Sequence, residues 1–217
     1  MGDPDATMWL REATAVQERL RPLVRHTPSF ALDKLRTVAG VDAAYRDRPV
    51  AAVAVMELLD LRMIGQSTAS IATTLPYVPG FLSFREAPVA LAALERLRQP
   101  ADVLLCDGQG YAHPRRFGLA CHLGVTLDLP SIGCAKTRLI GTYIEPGPDA
   151  GDHSPLLDDG EVIGVVLRTR AGTKPLFISV GHKMDLPTAV AVVMRCVTRY
   201  RLPEPIRAAD HLANASA

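Results

Sequence analysis

Aromatic residues are scarce in this chain: five Phe, five Tyr and one Trp among 217 residues. Its core must therefore be built from aliphatic side chains and alanine. No apolar run approaches the roughly 18 residues of a membrane-spanning helix, so no membrane partner is expected. The first residues, Met1-Gly2-Asp3-Pro4, show neither the basic region nor the apolar stretch of a signal peptide. The expected location is cytoplasmic. Cysteine is also sparse: Cys106, Cys121, Cys134 and Cys196 form no C-x-x-C pair, and no His stands at zinc-finger spacing. Three of the four lie in apolar segments, where Cys packs as a small hydrophobe. A formal net charge of +1 gives no global argument for a polyanionic partner. What remains is a chain of one-domain length, residues 1–217, with no internal repeat and no linker.

The apolar pattern predicts alternating elements. A helix is expected over 8–25, with Val16, Leu20, Leu23 and Val24 on one face. Strands over 36–45, 50–59 and 61–70 follow, joined closely enough for an antiparallel meander. A helix over 86–98 carries Ala90, Leu91, Leu94 and Leu97 at helical spacing, and Pro100 stops it. Residues 102–106 read as a short strand buried on both faces. A helix over 117–125 and a strand over 131–135 come next. The Pro/Gly/Asp-rich stretch 146–160 reads as a loop. Strands are expected at 162–169 and 176–180, then a helix from Pro187 to about 200 and a short one from Pro205. Three antiparallel strands followed by helix-separated, parallel ones predict an α/β fold of the ribonuclease H-like kind, a central mixed sheet flanked by helices.

Within that pattern four carboxylates stand where one element gives way to another: Asp42, Glu86, Asp107 and Asp210. Asp42 interrupts one strand-like run and Asp107 ends another. A buried carboxylate is costly unless a cation or hydrogen bonds stabilise it, so convergence on a divalent metal is the economical reading. Lys136, at the end of a strand, can stabilise charge on a phosphate, and His113 can contact phosphate or carry a proton. Each has a commoner explanation: a solvated Glu in a first helical turn, a snorkelling Lys, an exposed loop His, a surface Asp210. Arg85, Arg115, Arg116, Lys136, Arg138 and Lys183 lie near these segments; a basic rim around an acidic centre suits a polyanion held over metal ions, while charge alone favours a scatter of solvated surface residues.

Several motifs in order resemble one family: Gly40-Val41-Asp42-Ala43-Ala44-Tyr45, Pro76-Tyr77-Val78-Pro79-Gly80-Phe81-Leu82-Ser83-Phe84-Arg85-Glu86, Asp107-Gly108-Gln109-Gly110 with His113-Pro114-Arg115-Arg116, and Ile132-Gly133-Cys134-Ala135-Lys136-Thr137-Arg138-Leu139. Gly181-His182 and Leu202-Pro203-Glu204-Pro205-Ile206-Arg207-Ala208-Ala209-Asp210 continue the match. Over roughly residues 10–212 the chain resembles endonuclease V, the deoxyinosine 3′ endonuclease.

The resemblance implies hydrolysis of the second phosphodiester bond 3′ to an inosine in DNA, with inosine-containing RNA as the alternative substrate. The cofactor would be magnesium, with manganese able to substitute, and the protein would act as a monomer. Asp42, Asp107 and Glu86 would hold the metal, joined more weakly by Asp210. Lys136 and His113 would assist catalysis, and Arg115 and Arg116 would contact phosphates. Pro76, Tyr77, Val78 and Pro79 would form a rigid wedge that enters the duplex. Leu82, Gly108, Gly110, Gly133 and Leu139 would enclose the extruded base, with backbone amides near Gly110 reading its edge. Val78, Cys106, Cys134 and Thr137 depart from the residues frequent in the family, around the site and not at its ligands. A structure-specific nuclease on the same fold is the rival reading, and a non-catalytic lesion binder a remoter one.

Overall fold

A computed structural model describes residues 4–45, 49–72, 75 and 78–217, with the side chains of 4–7 left aside. Its centre is an eight-stranded sheet in the order β3-β2-β1-β4-β5-β8-β7-β6. The strands are β1 (Thr37–Tyr45), β2 (Pro49–Glu57), β3 (Met63–Ser70), β4 (Val103–Cys106), β5 (Ser131–Ala135), β6 (His153–Asp158), β7 (Glu161–Leu167) and β8 (Leu176–His182). β1, β2 and β3 form the antiparallel meander. β4 lies parallel to β1, and β5 parallel to β4. The parallel run stops there, because β8 pairs with β5 in the antiparallel sense and β7 and β6 continue so.

Helices α1 (Pro4–Leu20), α2 (Leu82–Glu95), α3 (Leu119–Leu127), α4 (Leu186–Arg195) and α5 (Glu204–Ser216) complete the chain. One face of the sheet packs Ala39, Val41, Val53, Leu104 and Cys106 against Ala87, Ala90 and Ala93 of α2 and Ala120 and Leu123 of α3. The other packs Val38, Leu105, Ile132, Ile178 and Val180 against Val192 and Val193 of α4 and Ile206 of α5. Alternate residues of the all-apolar β4 thus serve opposite cores, as a strand buried on both faces requires. This three-layer arrangement is the ribonuclease H-like fold. No helix among the described residues is long and apolar enough to cross a membrane.

Four local readings need correction. α2 begins at Leu82, four residues before the expected start, its first turn held by Phe84 packing on the rings of Phe81 and His122. Glu86 therefore sits in the second turn. The stretch read as a loop contains β6, an edge strand, where Pro155 is tolerated. Asp159 and Gly160 take positive φ of 51° and 81° at the turn into β7, the conformation that favours Asp-Gly hairpins. α1 ends at Leu20, and its buried residues past residue 7 are Ala13 and Gln17, not the expected Val16 face. α4 ends at Arg195, since the carbonyls of Arg199 and Arg201 accept hydrogen bonds from Arg170 and Thr169 at the end of β7.

α5 lies directly on β1. A Cβ built on Gly40 would come within 2.0 Å of the Pro205 carbonyl oxygen. Gly40→Ala should cost about 3 kcal/mol by overpacking, lowering Tm by about 6–12 °C for a chain of this size. Calorimetry of the variant checks this; an unchanged Tm would mean that α5 is not seated on the strand.

Candidate active site

The parallel pairing of β1 with β4 brings two distant acids together. Their register matches Val41 with Cys106, and the Asp107 amide extends the ladder by donating to the Val41 carbonyl at 2.9 Å. Asp42 and Asp107 therefore project side by side, joined by a side-chain hydrogen bond. Glu86 reaches the same place from α2 and is buried. Lys136, one residue past β5, extends its ammonium group to the Asp107 carboxylate. Asp210, on α5, adds negative charge beside both aspartates, and Asn214 donates to its Oδ1 at 3.2 Å.

Burial and mutual repulsion make this an electrostatically strained group. Desolvation first, then the charge of Asp107, pushes Asp42 up to about 7. Desolvation, then Asp42 and Asp107, pushes Glu86 up to about 8. Desolvation raises Asp107 as well, although Lys136 opposes it. Lys136 itself is raised: burial works against its charge, but its hydrogen bond to Asp107 and the surrounding acids outweigh that. Carboxylate oxygens alone, in excess over nearby cations, are the donor chemistry of a hard divalent ion. No set of three or more His, Cys, Asp or Glu side chains among the described residues forms a ready-made metal cage. The Lys136 ammonium group stands among these acids, in contact with Asp107.

A cleft of about 260 Å³ opens directly beside these acids, and Asp107 and Lys136 are part of its wall. Leu82, Gly108 and Leu139 line it as expected, together with Ser83, Gln109 and Leu119. Gln109 donates from Nε2 to the Thr137 carbonyl at 2.9 Å, which fixes its amide orientation. Its Oε1 and the Ser83 hydroxyl are buried without hydrogen-bond partners. Buried polar atoms left so are rare and costly; here two of them flank one cleft. The sequence reading passed over both residues, whose types carry no signal without the cleft.

Other expected roles do not survive the geometry. The Gly110 amide donates to the Ser179 hydroxyl at 2.9 Å, and neither residue lines the cleft. A Cβ on Gly133 would lie 2.3 Å from the Gly110 nitrogen. These two glycines are needed for close backbone packing behind the cleft, not for its wall. His113 spends both ring nitrogens, on the Gly80 carbonyl at 3.0 Å and on the Arg115 amide at 3.1 Å. Burial holds it down to about 4, and it stands in the wall of the cleft with its ring committed to these two partners. Arg116 is engaged by Asp158 at 2.9 Å and Glu161 at 2.8 Å, which removes it as a free phosphate contact. Arg115 lies over the Phe81 ring and donates to the Gly80 carbonyl at 2.6 Å, so it braces the loop below the expected wedge. Val78 and Pro79 lead into that loop, and the Phe81 amide donates to the Val78 carbonyl at 2.9 Å. Pro76 and Tyr77 lie outside the described residues. All four cysteines are buried and unpaired.

Comparison with known proteins gives this geometry a context. The endonuclease V family model matches residues 18–211. Endonuclease V of Rippkaea orientalis is 50% identical over 208 residues, covering 94% of this chain and 90% of the relative. The crystal structure of endonuclease V from Streptomyces avermitilis superposes with a TM-score of 0.87 at 43% identity, covering 95% of this chain and 92% of that one. Ciona intestinalis endonuclease V, solved in complex with a 24mer DNA containing an inosine followed by a ribo-adenosine, gives a TM-score of 0.81 at 28% identity, covering 96% and 98%. With its paired strand-borne acids, its lysine and its cleft in one place, and with the match running through all the segments that supply them, the chain belongs to the endonuclease V family.

Proposed function

We propose that this endonuclease nicks DNA at deaminated adenine, hydrolysing the second phosphodiester bond 3′ to an inosine. The observation that carries the reading is the shared wall: Asp107 and Lys136 border both the acidic group and the cleft. A base seated in the cleft keeps its own strand against the acids. At about 260 Å³ the cleft falls just below the roughly 300–1,000 Å³ of sites for drug-sized ligands, the scale of a single nucleobase. The Ciona relative, crystallised with inosine-containing DNA, points the same way.

Asp42, Asp107 and Glu86 would hold magnesium, with manganese as substitute and Asp210 supporting them from α5. The ion, when bound, supplies Lewis-acid activation of phosphate oxygens and of the attacking water. The remaining steps belong to the chain. Lys136 stabilises the negative charge that grows on the phosphate in the transition state. Leu82, Leu119 and Leu139 exclude water around the base. Gln109 Oε1 can only accept a hydrogen bond, and hypoxanthine offers an N1–H donor where adenine has a bare nitrogen. Two acceptors facing each other cost about 1–3 kcal/mol, one to two decades of discrimination at about 1.4 kcal/mol per decade. The Ser83 hydroxyl is free to donate to the oxo group.

The test is cleavage in magnesium of matched DNA and RNA oligonucleotides, each with and without one inosine. The expected product is a nick immediately beyond the 3′ neighbour of inosine, one nucleotide from the lesion, in DNA. Cleavage that follows flaps or strand ends and ignores inosine would replace this reading with a structure-specific nuclease. Preference for the RNA strand would move the physiological substrate to RNA. Tyr77, between two prolines, is assigned the wedge: Tyr77→Ala should weaken nicking of duplex substrates more than of single strands, because only the duplex must be opened. Equal losses on both would make Tyr77 a general contact.

A further inference from the structure

Gln17 of α1 reaches the backbone behind the cleft, and it is 0% exposed. A buried primary amide is costly unless its donors and acceptor are used. Here Nε2 donates to two carbonyls, those of Gly80 and Phe117, each at 3.1 Å. Oε1 accepts from Arg115 Nε. The two carbonyls lie just before the two helices that border the cleft. Gly80 precedes α2, which carries Leu82, Ser83 and Glu86. Phe117 precedes Gly118 and Leu119, where α3 begins. Gly80 and Gly118 both border the cleft. The Gly80 carbonyl also accepts from Arg115 Nη2 at 2.6 Å and His113 Nε2 at 3.0 Å, and Gly80 has the positive φ of 82° that turns the chain into α2.

We propose that Gln17 is a positioning residue for base selection: one planar amide holds the Gly80 and Phe117 carbonyls at a fixed separation and so sets the width of the cleft. The inference rests on the reading of that cleft as the base pocket. The side chain needs two donors, one acceptor and this length together. Glutamate keeps the acceptor for Arg115 but turns an oxygen towards both carbonyls. Methionine keeps the length and loses all three bonds. Asparagine is one methylene short. On the Gly80 side Arg115 and His113 remain when Gln17 is replaced. The Phe117 side loses the bond that ties it across, so that wall moves outward and the closed fit to one base is lost.

The experiment compares Gln17→Met and Gln17→Glu with the parent on otherwise identical inosine and adenosine strands, reading kcat/KM for each together with thermal melting. The expected result is a drop of at least tenfold in the inosine-over-adenosine ratio, mostly through a raised KM on inosine. A purely structural role would lower Tm and slow both substrates alike, leaving the ratio where it was, and that outcome overturns the proposal. If Gln17→Met does not fold, Gln17→Glu carries the test, since its carboxylate pairs with Arg115. The parent is read first: a parent ratio near one sinks the base-pocket reading itself, whereas a high parent ratio that both variants retain sinks only the role of Gln17.

Discussion

Asp42→Asn should nick inosine-containing DNA at least about a thousandfold more slowly than the parent and yet melt at a higher temperature when no metal is present. The rate loss follows from removing one carboxylate from the group that holds the cation, whose contribution to transition-state charge is several kcal/mol, each 1.4 kcal/mol being a decade. The gain in stability follows from the same geometry. Asp42 is raised to about 7 by burial and by Asp107, so its ionised form is repelled in the folded state. A neutral amide still donates to the Asp107 carboxylate and removes that repulsion. The pH dependence has a definite sign. A carboxyl that ionises near 3.9 in the unfolded chain and near 7 in the folded one favours folding most below pH 4, and that stabilisation is lost as pH rises through 7. Glu86, raised to about 8, extends the loss upward. Metal-free parent protein should therefore lose melting temperature steadily from pH 5 to 8, and Asp42→Asn should flatten that slope. Magnesium should restore more melting temperature at pH 8 than at pH 6, because it binds the deprotonated acids. Differential scanning calorimetry with and without magnesium reads all of this. A variant that melts lower than the parent at pH 8 would remove the strained-acid account.

Lys136→Met should move activity the same way and stability the opposite way. Loss of one preorganised positive group at a developing charge typically costs about 10²–10³ in kcat. The Lys136 ammonium is also the cation in contact with Asp107, and its charge lowers Asp42 and Glu86 too. Without it the acids face one another unrelieved, so Tm in the absence of metal should fall, most at alkaline pH. Magnesium should then raise Tm by more than in the parent, taking over the same work. Melting curves at two pH values, paired with single-turnover nicking, separate these effects. If Tm rises, Lys136 is a snorkelling surface lysine whose contact with Asp107 contributes nothing.

The residues that announced themselves in sequence did so by violating a local pattern. Asp42 inside an apolar strand and Asp107 at the end of a fully apolar one are anomalies that only a site explains, and the structure brings them together. Lys136 was visible for the same reason, standing just past the buried strand Ser131–Ala135. Glu86 was harder to place, because a Glu near a helix start is ordinarily a solvated residue favoured by the helix dipole. Gln17 was invisible: a glutamine on a helix has no signature until its partners at Gly80 and Phe117 are known. The glycines misled in the other direction. Gly110 and Gly133 looked like room for a ligand, but the space at Gly133 is filled by the Gly108–Gly110 backbone and that at Gly110 by the Val180 backbone. His113 and Arg116 have the right chemistry for a phosphate site, and it is spent on neighbours that no local rule reveals. The reversal of strand direction at β8 is likewise a long-range choice, made by which sheet edge lay open.

The seating of α5 on β1 also orders events during folding. The Pro205 backbone fills the space over Gly40, so the strand bearing Asp42 receives its cover from a segment far from it in sequence. Contacts this distant form late, after the entropy of a long loop has been overcome. Until α5 docks, the acids are held only loosely, and a late step of folding is then also the one that completes the site.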